Sequence, residues 1–165
     1  MHNLTKVAAL MGLALGVTAT AAAQNNATIN ATAVVQQPIT VAAARTLDFG
    51  NVFPGVAKAV AVAAGTSGEF AVTGQASSPA NMTFVLPTNL VNGGNNLPIG
   101  TWTGYWNTAN NATAGGTAFT PSAALTPLTF SGTGNAWVFV GGTVTPAVAQ
   151  VAGTYNGTVQ MTVTY

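Results

Sequence analysis

Two stretches near opposite ends of the chain alternate between apolar and polar residues. In residues 159–165, valine, methionine and tyrosine alternate with glutamine and threonine, and in residues 27–35, alanine, isoleucine and valine alternate mainly with threonine and asparagine. A period of two residues is typical of a β-strand with one buried and one solvated face. Both stretches are therefore predicted strands. Because the stretch at residues 159–165 runs into Tyr165, we expect its backbone to require a neighbouring strand.

The chain between these stretches contains short apolar runs separated by glycine, proline and asparagine, and no part of it sustains a helical period. Residues 59–63 and 69–73 are predicted to form a hairpin, Gly141 and Gly142 a turn or bulge, and residues 107–116 a long loop. Strand-like runs at a spacing of roughly 8 to 12 residues indicate an all-β sandwich or barrel. Further strands are predicted near residues 39–41, 82–86, 125–130 and 136–140, with one or two short strands between residues 89 and 106.

The first 23 residues have the pattern of a secretory signal peptide. Lys6 provides a positive start, residues 7–17 are apolar, and three alanines precede Gln24 as a cleavage site. A membrane anchor is the alternative, but Thr18 and Thr20 interrupt the apolar run. We therefore expect an exported protein that crosses the periplasm and reaches the cell surface or the medium, with no membrane span after signal removal. The chain has no cysteine, so it forms no disulfide bond.

Charged residues are rare throughout the chain. After signal removal the charged side chains are those of Arg45, Asp48, Lys58 and Glu69, which sum to zero, and Arg45 is predicted to pair with Asp48 across a turn. Two cations are too few for a nucleic-acid surface or for attraction to anionic lipid. A surface rich in threonine, asparagine and glycine suits a protein that packs against copies of itself, and a secreted monomer of low charge is the alternative.

The same composition bears on catalysis. Residues 24–165 contain neither histidine nor cysteine, so catalytic triads and zinc sites lack their usual side chains. Asp48 and Glu69 are the only carboxylate side chains, which is too few for a calcium site and leaves only a remote chance of paired-carboxylate hydrolysis. We expect a protein without enzymatic activity, cofactor or metal.

One aromatic group offers a binding hypothesis. Trp102, Tyr105 and Trp106 lie among threonine and asparagine, and such rings could stack on a sugar. Burial of Trp102 and Trp106 at one end of a sheet is the alternative.

Several short motifs resemble a known family. The sequence GTYNGTVQMTVTY at residues 153–165, with ITV at 39–41, LDFG at 47–50 and PG at 54–55, is similar to the bacterial secreted family known as domain of unknown function 4402. The ending and the LDFG segment also resemble spore coat U proteins and other subunits of archaic chaperone–usher pili. Spore coat U subunits commonly carry a disulfide bond, which this chain cannot form.

This resemblance implies an antiparallel immunoglobulin-like β-sandwich that lacks its last strand. In such fibres the N-terminal extension of the next subunit supplies the missing strand, a periplasmic chaperone holds the C-terminal strand during export, and an outer-membrane usher assembles the fibre. By this resemblance, residues 24–37 would be the N-terminal extension and residues 38–165 the sandwich domain. The expected partners are copies of the chain itself or related subunits.

The function expected from the sequence is a structural subunit of a surface fibre or pilus. A carbohydrate-binding module or adhesin, and a surface domain that never polymerises, are the alternatives. The extension could also pair within its own chain, since its alanines are small for filling a groove. The side chains predicted to fill the groove are Ile29, Ala31, Ala33 and Val35, and those predicted to line it are Val159, Met161, Val163 and Tyr165.

Overall fold

Ten β-strands and no helix make up the regular structure in a computed structural model that describes residues 25–165. The predicted signal peptide lies outside the described residues. The strands are β1 (Thr40–Arg45), β2 (Lys58–Val60), β3 (Gly68–Thr73), β4 (Pro79–Val85), β5 (Asn89–Asn92), β6 (Asn95–Asn107), β7 (Thr117–Phe119), β8 (Thr126–Thr129), β9 (Asn135–Val144) and β10 (Gln160–Thr164).

The strands form two antiparallel sheets that pack as a sandwich. The first sheet has the order β1-β3-β9-β6-β5, with β2 added to β9 and β7 added to β6, and the second has the order β10-β4-β8. Every strand pair in both sheets is antiparallel. The prediction of an all-β immunoglobulin-like sandwich is confirmed.

The strand order follows the immunoglobulin arrangement, in which one sheet has the order A-B-E-D and the other C-F-G. Strands β1, β3, β9 and β6 take positions A, B, E and D, while β4 and β10 take positions C and F. Within residues 25–165, no strand occupies position G beside β10. The sandwich described here is therefore one strand short on that side.

The hydrophobic core consists of two clusters. The main cluster lies between the sheets, where the alternating inward residues of β4, β9 and β10 meet, and Met82 and Val138 are completely buried in it. A second cluster around Leu97, Ile99 and Val144 lies toward one end of the sandwich. Trp102 packs against both clusters and joins them.

Residues 35–165 form one compact unit, which we call the body. The described residues before it, 25–34, contain no strand, and every one of their side chains is exposed. The strand predicted at residues 27–35 is thus not formed in the isolated chain.

Two local predictions are wrong because strands distant in the sequence pair instead. Residues 59–63 and 69–73 were expected to form a hairpin, but β2 pairs with β9, and β3 pairs with β1 and β9. Gly141 and Gly142 lie inside β9, where a Cβ at Gly141 would stand 2.3 Å from the carbonyl oxygen of Val60. Glycine is needed there because the backbone of β2 approaches β9 too closely for a side chain.

The predicted Arg45–Asp48 ion pair is also wrong. Pairing of β1 with β3 places Arg45 opposite Glu69, and Arg45 Nη1 lies 2.8 Å from Glu69 Oε2. The guanidinium also donates to the carbonyl and hydroxyl oxygens of Ser67, at 2.7 and 2.9 Å. Asp48 instead accepts a hydrogen bond from the amide of Gly50 at 2.7 Å. Glu69 is buried and accepts a further hydrogen bond from Asn110 Nδ2 at 2.9 Å, so Arg45 neutralises a carboxylate that water hardly reaches.

An Arg45→Met variant is expected to lower the free energy of unfolding by about 1 to 3 kcal/mol, because the buried carboxylate loses its charge partner. Urea unfolding followed by far-ultraviolet circular dichroism measures this loss. Lys58→Met is the matched control, since Lys58 is exposed and its ammonium donates to the carbonyl oxygen of Asn51. It should change stability by about 0.5 kcal/mol or less. Equal effects of the two variants would contradict the interpretation.

Candidate assembly groove

Two strand edges lack partners on the side of the sandwich where position G is empty. Strand β1 pairs only with β3, and β10 pairs only with β4, within the described residues. The outer backbone groups of both strands are therefore available for pairing with an added strand.

At one end the two edges are tied together by Tyr165. Its hydroxyl donates to the carbonyl oxygen of Gln37 and accepts from the amide of Gln75, each at 2.6 Å. The tyrosine ring also packs edge-on against Phe130, with the ring centroids 6.3 Å apart. The end of β10 is thereby fixed beside the start of β1, and we call this the closed end.

At the other end the edges separate and leave a groove of about 1030 Å³. Residues 43–54, which continue from β1, form one wall, and residues 150–159, which lead into β10, form the other. We call this the open end. Because β1 begins and β10 finishes at the closed end, the two strands run in opposite directions along the groove. Core side chains form the floor, namely Phe70, Leu97, Ile99, Trp102 and Val140.

The exposure of β1 shows how incomplete this side is. Residues 40–44 are all exposed, although an ordinary sandwich strand buries alternate side chains. Val41, for example, has a relative solvent exposure of 40%. No part of the described chain covers the face of β1 that a strand at position G would approach.

The four predicted groove residues on β10 have different environments. Met161 and Val163 point inward and are buried in the main core, beneath the free edge. Val159 is half-buried and lines the groove at the open end. Tyr165 forms the tie at the closed end rather than a wall of the groove.

The four residues predicted to fill a groove lie in or beside the unpaired N-terminal segment. The relative solvent exposure is 89% for Ile29 and 94% for Val35, and Ala31 and Ala33 are exposed as well. The apolar side chains of this segment have no cover in the isolated chain.

The three aromatic residues considered for sugar stacking do not share a surface. Trp102 and Trp106 are half-buried against the main core, whereas Tyr105 points to the opposite face of β6. Its hydroxyl accepts a hydrogen bond from the amide of Gly116 at 2.7 Å, which places the phenol beneath the 107–116 loop. The arrangement agrees with the alternative in which the tryptophans pack inside the sheet.

Sequence reasoning missed one wall and much of the floor of the groove. Leu47 and Phe49 in the wall at residues 43–54 suggested only inward-facing core positions, and Phe70 and Trp102 were assigned to other roles. One signal was available, because the uninterrupted run Ala42, Ala43 and Ala44 predicts a strand with no clearly buried face.

The groove offers little chemistry beyond apolar contact and backbone hydrogen bonding. Among the residues of 25–165 that line it, only Arg45 and Asp48 are charged, and Arg45 is paired with Glu69. Among residues 25–165, no three side chains of histidine, cysteine, aspartate or glutamate are grouped closely enough to hold a metal ion. The same residues include no helix long and apolar enough to cross a membrane.

Comparison of the chain with protein-family models, with curated proteins and with solved structures returns no match.

A Tyr165→Phe variant tests the tie at the closed end. Loss of the hydroxyl removes two hydrogen bonds, so we expect the free energy of unfolding to fall by about 0.5 to 1.5 kcal/mol. Amide hydrogen exchange should accelerate at Gln75, whose acceptor is lost, while amides in the centre of β9 keep their protection. Unchanged exchange at Gln75 would contradict a tie at this position.

Proposed function

We propose that this protein is a secreted, non-enzymatic structural subunit of a bacterial surface fibre, assembled by strand donation between copies. The observation that carries the proposal is the apolar groove between two free strand edges, at the position of a missing immunoglobulin strand. The same chain contains an alternating segment, residues 27–35, that is exposed and has no strand partner. Each copy thus has both an acceptor and a donor.

The donor segment matches the chemical demands of the groove. A nine-residue strand is about 30 Å long, and its backbone can pair with the edges of both β1 and β10. Ile29, Ala31, Ala33 and Val35 share one face of that strand and would point toward the core. The small alanines would permit the donor backbone to lie close to the floor, and the larger residues would fill the two ends.

The tie at Gln37 disfavours pairing of the segment within its own chain. The segment precedes β1 at the closed end, so folding back into its own groove would make it antiparallel to β1 and parallel to β10. That reversal would fall at Gln37 and Pro38, where the carbonyl of Gln37 already accepts from Tyr165. A segment from another copy needs no such reversal and can run antiparallel to β10 and parallel to β1.

Donation of this kind joins two different surfaces and leaves one groove and one donor unused at the ends. Such an interface is heterologous and open, so repetition produces a filament. The unfilled groove also exposes strand edges that would aggregate during export. A periplasmic chaperone that covers the groove, and an outer-membrane usher that releases it, are therefore part of the proposal.

The experiment compares signal-free protein of residues 24–165 with a truncated form, residues 36–165, that keeps Gln37 for the tie to Tyr165. Size-exclusion chromatography with light scattering should give a ladder or filaments for the first and monomers for the second. A synthetic peptide of residues 24–37 should bind the truncated form and shift the fluorescence of Trp102 to shorter wavelength, because the peptide covers the groove floor. A stable monomer of the longer form that unfolds on truncation would show pairing within one chain and would refute the proposal.

A further inference from the structure

A cluster of exposed apolar side chains projects beside the open end of the groove. Their relative solvent exposures are 69% for Phe53, 57% for Val56, 88% for Val148 and 52% for Val151. They belong to two segments that are joined by a hydrogen bond of 3.0 Å from the amide of Gly55 to the carbonyl oxygen of Ala147. We call these four residues the apolar tip. Phe53 and Val151 also line the groove, so the tip continues the groove wall outward.

Strand donation determines which part of another copy must come near this tip. A donor that runs antiparallel to β10 enters with residue 27 toward the closed end and Val35 at the open end. Only Gln36, Gln37, Pro38 and Ile39 then separate the inserted strand from β1 of the donating body. Four residues span at most about 14 Å, so the donating body must stand against the open end of the acceptor.

The part of the donating body nearest this linker is its own closed end. A shallow depression of about 310 Å³ lies there, lined by Pro38, Gly74, Thr133 and Gly134 among others. None of its lining residues in the described chain is charged. This surface can receive an apolar side chain without burying a charge.

We propose that the apolar tip of each copy packs against the closed-end depression of the copy that donates its strand, with Phe53 as the central contact. The inference rests on the proposed function, since it needs the donor strand to bring the two bodies together. Once the strand is inserted, the tip contact is effectively intramolecular, so even a weak contact is populated. It fixes the angle between successive bodies and resists withdrawal of the donor strand.

The test uses Phe53→Ser in the signal-free full chain, with Leu125→Ser as the matched control. Leu125 retains 68% of its exposed surface and lies outside both the tip and the groove lining. Filaments of the Phe53 variant should form and should bend more in electron micrographs. Their subunits should be lost to excess donor peptide at least about tenfold faster, the effect of losing one buried phenylalanine contact. The control should match the unaltered chain in both properties.

A cross-linking arm makes the contact itself measurable. The chain has no cysteine, so a Phe53→Cys copy mixed with a Thr133→Cys copy should form disulfide-linked pairs between copies under mild oxidation. Unchanged bending and exchange in the Phe53 variant, or filaments without this cross-link, would overturn the tip contact while leaving strand donation intact. If the unaltered chain remains monomeric, strand donation fails and the tip contact fails with it.

Discussion

An Ile29→Asp variant of the signal-free chain is expected to remain monomeric under conditions in which the unaltered chain forms filaments. Ile29 is exposed in the isolated chain, so the substitution should leave the stability of the body unchanged. In the filament this side chain would lie toward the closed end, beside Tyr165 and its contact with Phe130. Placing an unpaired carboxylate there costs several kcal/mol, and about 4 kcal/mol corresponds to a roughly thousandfold loss of affinity.

Asn30→Asp is the matched control for this variant. It introduces the same charge one residue along, where a strand side chain would point to the solvated face of the donor. Its filaments should form normally. Light scattering at equal protein concentration compares the two variants, and normal assembly of the Ile29 variant, or equal loss in both, would contradict the proposed donor face.

The second large effect is expected for Trp102→Ala. Trp102 joins the two core clusters and forms part of the groove floor, so its removal should leave a cavity that the sheets cannot close. We expect the free energy of unfolding to fall by about 2 to 4 kcal/mol, slightly below the range for a fully buried tryptophan because Trp102 is only half-buried.

Trp137→Ala provides the comparison for this loss. Trp137 is also half-buried, on a strand position that alternates with the core residues Ala136 and Val138 and so faces away from the main core. Its replacement should cost clearly less in chemical unfolding. A Trp102 variant with the stability of the Trp137 variant would show that Trp102 does not join the core clusters.

The alternating pattern predicted β10 because one face of that strand packs on the core and the other meets solvent. The same pattern at residues 27–35 gave no strand in the isolated chain. Alternation shows only that a segment suits a half-buried strand, and it does not show whether the partner strand belongs to the same copy or to another. Sequence reasoning could therefore identify a segment suited to a strand but not whether it pairs within the chain or with another copy.

Long-range pairing limited the remaining predictions. Arg45 was matched with its sequence neighbour Asp48, but strand pairing placed it beside Glu69, 24 positions away along the sequence. Gly141 and Gly142 were predicted to form a turn or bulge, but they lie inside β9 and permit β2 to approach it, and the irregularity in pairing lies opposite them on β6, between Gly100 and Thr103. The groove itself could not be predicted, because its walls come from residues 43–54 and 150–159, which meet only in the folded sandwich.

If copies assemble as proposed, strand donation would also stabilise a chain that has no disulfide bonds. A donor strand that binds only the folded body stabilises it by mass action, in addition to the stability of the isolated body. The nearly uncharged surface leaves little repulsion between successive copies. Assembly would therefore add to the stability of the isolated body.

The measurement that tests strand donation most directly is disulfide formation between two single-cysteine variants, Val35→Cys and Val159→Cys, mixed in equal amounts. Donation between copies places Val35 of one copy at the open end beside Val159 of another, so mixed pairs should form, within the Cα separation of about 4.4 to 6.8 Å that a disulfide requires. Pairing within one chain would keep Val35 at the closed end and bring residue 29 to the open end. A dilute Ile29→Cys, Val159→Cys double variant that closes an internal disulfide, with no mixed pairs from the first experiment, would contradict the proposal.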